Sequence, residues 1–577
     1  MRFAWAQKAS KVALRASLVS CGGLALACVH EDTRRSTLET LLSCRRALHA
    51  AICVGNMAVR YKALSWRHGA EPQDTYSNLL SKTHGDCAHL ALQMCRGNGG
   101  LFVKIGQHAA TLAPAVPPEY VQHLSLLQDR APAGDWEDVK MVICSELGVE
   151  LGADPASKDG VFREFDVDPV GSASLAQVHR AKLRDGSEVA VKVQHRHIES
   201  VVASDIFIVR FLERLMSHVF RQEGFSMAWA IDEFERNVQH ELDFREEAKH
   251  AERCRDFFAN SDLAACICVP KVHPDYSTRR MLVMDFSHGT AISKVVKSAQ
   301  RKSRGLLLSA REEVEAQAAK IAARLLIEAF GTMVFSFGYV HCDPHPGNLL
   351  VEMGKGDKGP RLVILDHGLY RELSEDRRLA NCGLWKAMAL QDAAELVKSC
   401  NALGIDACTA ELLPLYFTNR SIETKAGLGQ KITAEQKSEL KLKLQRLGIL
   451  PEKASAASFA ISGLGMLADR VPGDMLMVMR TMHLVASLHR DLGGRSADRF
   501  ASYAVAAARG NESKDCNCWR LSRLSRLSRL RVFVKTLAFK ARLWLRELRL
   551  RLHGTLSGAQ EEFSIARSLA EIARDQR

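Results

Sequence analysis

The chain has 577 residues, of which 47% are apolar and 25% are charged. This is ordinary globular composition for about two to four domains, so collagen, coiled coil and wholesale disorder are excluded for the chain as a whole. No uncharged apolar run reaches the roughly 18 residues that a spanning helix needs, which excludes a polytopic membrane protein. The 16 cysteines form no disulfide or zinc framework, and this favours a reducing compartment.

The positive charge is concentrated near the C-terminus. Lys and Arg outnumber Asp and Glu by 79 to 66, which gives a net charge of +13. The segment Arg520–Arg551 contains 11 basic residues and one acidic residue, Glu547, and so carries +10 of that charge. Because the rest of the chain is nearly neutral, the charge pattern argues against nucleic acid as a partner.

Residues 1–30 have the composition of a targeting segment. They contain four basic residues and no acidic residue, and residues 16–29 are uncharged and mostly apolar. Basic, acid-poor and amphipathic segments are typical of mitochondrial or plastid transit peptides. We therefore predict that residues 1–30 target the protein to an organelle, and that the apolar stretch is a candidate membrane contact. A secretory signal and a plain buried helix remain as alternatives.

The next 120 residues are predicted to be mainly helical. Residues 32–70 and 86–150 show helical periodicity. Residues 68–85 are polar and rich in turn formers, which predicts a linker. A change of period then marks the start of a sheet.

Strand-like alternation begins after residue 160. The runs Ala176–Leu183 and Glu188–Gln194 alternate apolar and polar residues and are joined by a segment containing Asp185-Gly186, which is a strong hairpin signal. A further short strand is predicted before this hairpin, at Val161–Phe165. Helical stretches follow the hairpin and are interrupted by short strands that we predict at Val269–Val272, Met281–Phe286, Leu349–Glu352 and Leu362–Leu365. This order of elements predicts an α+β fold rather than an alternating βαβ fold.

The strongest local motif is the loop His341-Cys342-Asp343-Pro344-His345-Pro346-Gly347-Asn348. The catalytic loop of a protein kinase has an Asp and an Asn at this spacing, where the Asp positions or deprotonates the acceptor and the Asn binds a metal ion. Asp366-His367-Gly368 then follows an apolar strand, where a kinase places Asp-Phe-Gly. The carboxylate of that Asp holds Mg²⁺, so the change from Phe to His367 bears on packing and switching rather than on metal binding.

A lysine that suits nucleotide phosphates ends the hairpin, in Val189-Ala190-Val191-Lys192. A kinase lysine of this kind needs an acidic residue on a helix to orient it, and the candidates are Glu241, Asp243, Glu246 and Glu247. Each motif is weak alone, but their order and context predict one nucleotide site. In that site Lys192 and Asp343 are catalytic, and Asn348 and Asp366 bind metal.

Three features depart from ordinary protein kinases. No G-x-G-x-x-G precedes the lysine strand, no Ala-Pro-Glu follows Asp366, and Cys342 stands where the catalytic loop usually has Arg. A cation that could pair with a phosphorylated activation loop is therefore missing at that position. We expect neither peptide docking nor activation by loop phosphorylation.

Over roughly residues 86–400 the chain resembles the UbiB, or aarF-domain-containing, atypical kinase family, most closely its kinase 1 branch. Lys104-Ile105-Gly106-Gln107 is similar to the K-x-G-Q motif of the family, and Glu241-Leu242-Asp243 to its E-x-D motif. Glu247-Ala248 matches the helix acid that follows. A segment that resembles the family's alanine-rich nucleotide loop contains Gly171, Ser172, Ala173 and Ser174.

The resemblance implies a two-lobed protein-kinase-like fold with an N-terminal helical extension packed over the active site. It implies that Lys104 enters the pocket, paired with Glu241 or Asp243, and that Gln107 accompanies it. It also implies that Glu247 orients Lys192, that residues 171–174 contact the nucleotide, and that the cofactors are ATP (or ADP) and Mg²⁺.

These observations predict six segments. We expect a targeting segment at 1–30, a helical segment with linker at 31–85, the K-x-G-Q extension at 86–160, an N-lobe at 161–290, a C-lobe at 291–510 and a basic amphipathic tail at 511–577.

The basic tail is predicted to form an amphipathic helix within Trp519–His553. Apolar residues recur there at three-four spacing with arginines between them: Leu527, Leu530, Val534, Leu537, Ala541, Leu545, Leu548 and Leu552. Such a helix suits an anionic membrane surface. The alternative is that it packs on the kinase-like domain and exposes its arginines.

The function that we predict is Mg-ATP-dependent phosphoryl transfer or ATP hydrolysis by an atypical kinase. The resemblance implies a membrane-associated role in mitochondrial, or alternatively plastid, lipid and isoprenoid-quinone homeostasis. The expected substrate is lipid-like, a small molecule or water. The alternatives are a nucleotide-switched membrane scaffold without phosphotransfer and a serine/threonine kinase that acts on peptides.

Overall fold

The computed structural model describes residues 31–69, 71–111, 116–128, 134–148, 160–172, 175–196, 198–221, 227–354, 359–410, 413–418, 471–512 and 532–545. The predicted targeting segment, and Ala173 and Ser174 of the predicted nucleotide loop, lie outside these residues. The chain divides into two compact units. Unit 1 comprises residues 1–245 and 273–284, and unit 2 comprises residues 246–272 and 285–577. The six segment boundaries drawn from the sequence stay predictions.

Helices make up most of the described residues. In chain order they are α1 Glu31–His68, α2 Gln73–Asn98, α3 Gly100–Thr111, α4 Pro118–Leu124, α5 Trp136–Leu147, α6 Ile198–Val219, α7 Ala228–Glu241, α8 Phe244–Ala259, α9 Ile292–Ser303, α10 Ala310–Thr332, α11 Glu375–Leu390, α12 Ala393–Ala402, α13 Ala407–Ala410, α14 Leu413–Thr418, α15 Gly473–Asp491 and α16 Ser496–Glu512. Residues 532–545 are also helical and are called the C-terminal helix below.

The strands are short, as expected for an α+β chain. They are β1 Phe162–Phe165, β2 Gly171–Ser172, β3 Ala176–Leu183, β4 Glu188–Gln194, β5 Ile267–Cys268, β6 Met281–Asp285, β7 Thr290–Ala291, β8 Tyr339–His341, β9 Leu349–Glu352, β10 Arg361–Ile364 and β11 Tyr370–Glu372.

The sheet of unit 1 has the strand order β1-β3-β4-β6, and β2 also pairs with β3. The predicted hairpin is confirmed, since β3 and β4 pair antiparallel from Ala176 opposite Gln194 to Lys182 opposite Glu188. Its turn requires a glycine, because Gly186 has a φ of +89°.

Alternation along β4 sorts its side chains onto two faces. Val189, Val191 and Val193 are fully buried and pack on apolar residues of α5 and β6. Since successive side chains of a strand point to opposite faces, Lys192 lies on the face away from this core.

The polar stretch at residues 68–85 was predicted as a linker, and most of it is helix instead. Helix α2 begins at Gln73, directly after Pro72. Tyr76, Leu79 and Leu80 are half-buried at helical spacing, and α2 packs along α1. Burial of this narrow apolar face outweighs the turn-forming composition of the segment.

The strand predicted at Val269–Val272 forms earlier in the chain. The observed strand is β5, whose Ile267 and Cys268 pair in parallel with Leu362 and Val363 of β10. Pro270 has no backbone N–H and cannot continue this ladder, which explains why the regular pairing ends before it.

Unit 2 is built around a buried, alanine-rich helix. Helix α10 begins with a capping box between Ser309 and Glu312, and it packs against α9, α15 and α16. Small side chains such as Ala322 allow this close approach. The sheet of the unit has the strand order β5-β10-β9-β7, and β8 pairs separately with β11.

None of the helices in the described ranges combines the length and the apolar character needed to cross a membrane.

Candidate active site

The β9–β10 hairpin brings Asn348 and Asp366 to one end of unit 2's sheet. The two strands pair antiparallel, with Leu349 opposite Ile364. Asn348 directly precedes β9, and its carbonyl oxygen accepts a hydrogen bond from the Leu365 N–H at 2.9 Å. Because Asp366 follows Leu365, both predicted metal ligands leave the hairpin at the same end.

A buried histidine joins the two predicted acidic positions. The His341 imidazole is fully buried, and its Nδ1 accepts a hydrogen bond from the Asp343 N–H at 3.0 Å. Its Nε2–H donates to the Asp366 carbonyl oxygen at 2.7 Å. These partners require a neutral ring with its proton on Nε2, and burial lowers the pKa of His341 accordingly. One imidazole thus fixes the backbone of the Asp343 loop relative to Asp366.

The residues at this end of the sheet fit magnesium bound together with a nucleotide. The Asp366 carboxylate is held by the Gly368 N–H, which donates to Oδ1 at 2.9 Å. Within the part of the chain that the structure describes, no three His, Cys, Asp or Glu side chains are grouped to hold a metal ion by themselves. Mg²⁺ usually takes one or two protein oxygens and completes its shell with phosphates and water. One carboxylate, from Asp366, and one amide, from Asn348, match that need.

The histidine that replaces the phenylalanine of Asp-Phe-Gly is anchored by hydrogen bonds. His367 is buried, its Nε2–H donates to the Ile364 carbonyl oxygen at 3.1 Å, and its Nδ1 accepts from the Tyr370 hydroxyl at 2.8 Å. The two rings are nearly parallel, at an interplanar angle of 8°. A phenylalanine could make neither hydrogen bond, so this segment is held more specifically than by packing alone.

Glu247 lies beside the same segment. It is buried on α8, and its Oε1 accepts a hydrogen bond from the His367 N–H at 3.4 Å. The pairing of Glu247 with Lys192 joins residues of the two units and stays a prediction.

Replacing Tyr370 with phenylalanine is expected to lower the free energy of unfolding by about 1–2 kcal/mol, because the buried Nδ1 of His367 loses its donor. The matched control is Tyr503→Phe. Tyr503 is equally buried in unit 2, but its hydroxyl has no hydrogen-bond partner among the described residues. In urea unfolding, the free energy of unfolding of Tyr370→Phe should be clearly lower than that of the control. Equal stability of the two variants would refute the anchoring role of Tyr370.

Lys192 lies in unit 1, on the face of β4 opposite the valines. Its Nζ is 5.1 Å from the centre of the Phe244 ring. An aromatic face attracts a cation without a hydrogen bond to the ring, and this contact helps to hold the ammonium group on that side of β4.

The described part of the nucleotide loop is a short strand. Gly171 and Ser172 form β2 and pair with Val178 and Gln177 of β3. A Cβ on Gly171 would meet no atom within 4 Å, and no left-handed φ is found there. Neither the available space nor the backbone conformation therefore requires a glycine at this position, and its contact with a nucleotide stays a prediction.

Two buried polar residues beneath this loop had no role assigned from the sequence. The Gln177 side-chain oxygen accepts from the Gly134 N–H at 2.7 Å, and its amide nitrogen lies 2.9 Å from Nε2 of His179. The other ring nitrogen of His179 donates to the Asp166 carbonyl oxygen at 2.8 Å. The available signal was a pair of polar residues, Gln177 and His179, at successive positions on the buried side of β3.

The K-x-G-Q lysine pairs with the first acid of the E-x-D motif. Lys104 Nζ lies 2.6 Å from Glu241 Oε2, and both side chains are largely but not fully buried. Of the two partners that the resemblance implied, the structure selects Glu241. The pair links α3 of the extension to the end of α7 within unit 1.

The other predicted residues of this group bond elsewhere. Gln107 donates its amide to the Leu127 carbonyl oxygen at 2.8 Å, within the extension. Asp243 pairs with Arg245 at 2.7 Å, and these hydrogen bonds lower the pKa of Asp243. In this structure Gln107 and Asp243 therefore hold local structure rather than join the Lys104–Glu241 pair.

Within unit 2 the structure thus groups Asp343, Asn348, Asp366 and Glu247 around two buried histidines. His341 and Tyr370, which organise this group, were present in the motifs but had no role assigned. The meeting of Lys192 with these residues involves both units and stays a prediction.

A lysine on a hairpin strand, an Asp/Asn loop and an Asp-x-Gly segment after a second hairpin define a kinase-like protein. The family model described as the ABC1 atypical kinase-like domain matches residues 126–400. The chain belongs to this ABC1, or AarF-domain, family of atypical kinases. The resemblance noted in the sequence and its α+β kinase-like class are thereby confirmed.

Two relatives that match in sequence support the assignment. AarF domain-containing protein kinase 1 of Xenopus laevis is 32% identical over 489 residues, covering 82% of this chain and 86% of the relative. The probable serine/threonine-protein kinase abkD of Dictyostelium discoideum is 32% identical over 481 residues, covering 82% and 63%. Among solved structures, the Rv3197–erythromycin complex of Mycobacterium tuberculosis has 19% identity and a TM-score of 0.42, covering 73% of this chain and 95% of that one.

Proposed function

We propose that the chain is an atypical kinase or ATPase that uses Mg-ATP, either to phosphorylate a lipid-like or small acceptor or to hydrolyse the nucleotide. The observation that supports this most directly is the double hydrogen bond of His341. This imidazole holds the backbone of the Asp343 loop and that of Asp366 in one arrangement, as a single site with a catalytic aspartate and a metal-binding aspartate requires.

The proposed roles follow from the chemistry of each residue. Asp343 orients the acceptor hydroxyl or water and receives its proton, and Lys192 binds the α- and β-phosphates. Asp366 and Asn348 hold Mg²⁺, which when bound neutralises charge on the phosphates. Glu247 orients Lys192. Gly171 and Ser172 contact the nucleotide, and Lys104 has the role that the family resemblance implies, which is to control the acceptor side of the site.

A small or lipid-like acceptor suits the catalytic loop better than a peptide. Cys342 is fully buried and a thiol carries no positive charge, so the position supplies no cation for a phosphorylated activation loop. The proposed setting is a mitochondrial, or alternatively plastid, membrane in which lipid or isoprenoid-quinone homeostasis is maintained. This address rests on the basic, acid-poor composition of residues 1–30.

The test is ADP release from purified full-length chain with ATP and Mg²⁺, with and without lipid vesicles. Lys192→Met is expected to lower turnover about 100-fold. The matched control is Lys182→Met on the neighbouring strand β3, where the lysine pairs with Glu164 near the surface, and this variant should retain turnover.

The outcomes separate the competing functions. ATP binding without ADP release would favour a nucleotide-switched membrane scaffold. Robust phosphorylation of added peptides would favour the serine/threonine kinase activity that the name of the Dictyostelium relative suggests. Equal turnover in the Lys192 and Lys182 variants would reject the proposed phosphate site.

A further inference from the structure

The C-terminal helix has a buried face that the sequence pattern did not predict. Val532, Thr536, Phe539 and Leu543 are buried. Their spacing of four, three and four residues places them on one side of an α-helix. The helix is therefore seated on other residues through this side.

Two charged residues show where the helix sits within unit 2. Arg542 lines a shallow cavity together with Leu379 of α11 and Lys398 of α12. Lys540 is half-buried, and burial together with the nearby Arg509 of α16 lowers the pKa of Lys540. The helix thus lies near α11, α12 and the end of α16.

The opposite side of the helix is apolar and exposed. Its large side chains are between 44% and 64% exposed, namely Phe533, Val534, Leu537, Trp544 and Leu545. At about 100° per residue they fall within an arc of about 120°. Val534, Leu537 and Leu545 belong to the apolar stripe that the sequence predicts. We call these five residues the outer face.

Cations border the outer face. At the same angle per residue, Lys540 lies at one edge of the outer face. Lys535 and Arg542 lie past its other edge. The surrounding segment Arg520–Arg551 carries 11 basic residues against one acidic residue. An apolar arc with basic borders matches a bilayer surface, where rings and aliphatic chains enter below anionic headgroups.

We propose that the C-terminal helix docks the protein on an anionic lipid bilayer through its outer face, while its buried face keeps it attached to unit 2. Nucleic acid is a poorer occupant, because the exposed arc offers apolar groups where phosphates would need cations. The proposal uses none of the residues of the proposed active site. Its failure would leave the Mg-ATP proposal untouched, and the reverse also holds.

The experiment is flotation of the full-length chain with vesicles of phosphatidylcholine containing about 30 mol% phosphatidylserine, and with vesicles of phosphatidylcholine alone. We expect binding to the anionic vesicles, little binding to the neutral ones, and loss of binding as salt is raised toward about 0.5 M. Equal binding to both vesicle types, or no binding to either, would overturn the proposal.

A triple variant tests the outer face directly. Leu537→Gln, Trp544→Gln and Leu545→Gln together are expected to weaken binding at least about tenfold, since three apolar groups no longer enter the bilayer. The matched control replaces the exposed Leu306, Leu307 and Val314 of the same unit with glutamine and should bind like the unmodified chain. Wild-type binding by the outer-face variant would overturn the proposal.

A second readout covers misfolding and the competing occupants. The triple variant of Leu537, Trp544 and Leu545, called the outer-face variant, should have the same thermal unfolding midpoint as the control variant. If it does not, Lys535→Gln with Arg542→Gln should still reduce binding to anionic vesicles, and unchanged binding would overturn the proposal. Loss of a dimer in the outer-face variant, without loss of vesicle binding, would assign the face to a second copy of the chain instead.

Discussion

Asp366→Asn is expected to lower Mg-ATP turnover by about 100- to 1,000-fold while the fold stays intact. The substitution removes one charge but keeps the backbone carbonyl that accepts from His341, and an asparagine oxygen can still accept from the Gly368 N–H. The structural hydrogen bonds therefore survive, and only the ionic ligand for magnesium is lost. ADP release at saturating ATP measures the effect, and the thermal unfolding midpoint checks the fold.

The control for Asp366→Asn is Asp376→Asn. Asp376 is exposed in the first turn of α11 in the same unit, and it undergoes the same chemical change. This control should retain full turnover. Persistence of turnover in Asp366→Asn, with magnesium dependence unchanged, would remove Asp366 from the proposed metal site.

Arg378→Ala is expected to lower the free energy of unfolding by about 3 kcal/mol or more. The Arg378 side chain is 1% exposed, and its guanidinium donates to the carbonyl oxygens of Phe335 and Gly510 and to the carboxylate of Glu375. One side chain thus ties α11 to the turn after α10 and to the end of α16. Its removal leaves two buried carbonyl groups without this donor and opens a cavity.

The neighbouring arginine provides the control for this effect. Arg377 pairs with Asp474 and is 41% exposed. Partly exposed ion pairs contribute about 0–1 kcal/mol to the free energy of unfolding. Arg377→Ala should therefore unfold at nearly the same urea concentration as the unmodified chain. If both alanine variants lose the same small amount of stability, the bridging role of Arg378 is refuted.

Local chemistry explains which elements could be predicted from the sequence. The β3–β4 hairpin was predicted with its observed bounds, because Asp185-Gly186 encodes the turn and the valines of β4 encode the buried face. Strand β9 was predicted correctly for the same reason, since its apolar residues are consecutive in the chain. The kinase-like class followed from the order of short motifs along the chain.

Long-range contacts explain what the sequence did not reveal. Strand β5 depends on β10, about 95 residues later in the chain. The role of His341 depends on its hydrogen bond to the carbonyl oxygen of Asp366, 25 residues later in the chain, and a histidine does not indicate such a partner by itself. Lys104 had two candidate partners in the sequence, and only the packing of α3 near the end of α7 selects Glu241.

The C-terminal helix has two apolar faces, and the sequence pattern predicted only one of them. The sequence predicts one apolar stripe, which includes Val534, Leu537 and Leu545. The structure leaves these three residues exposed and buries Phe539 and Leu543 instead. Periodicity alone identifies apolar positions but does not determine which of two apolar faces packs against the protein.

The most direct measurement for the account as a whole is a crystal structure of the full chain with a non-hydrolysable ATP analogue and Mn²⁺, with the metal located by its anomalous signal. The account predicts manganese at about 2.2 Å from side-chain oxygens of Asp366 and Asn348, and Lys192 Nζ against the α- and β-phosphates. A metal peak away from Asp366, or a nucleotide whose phosphates do not contact Lys192, would contradict it.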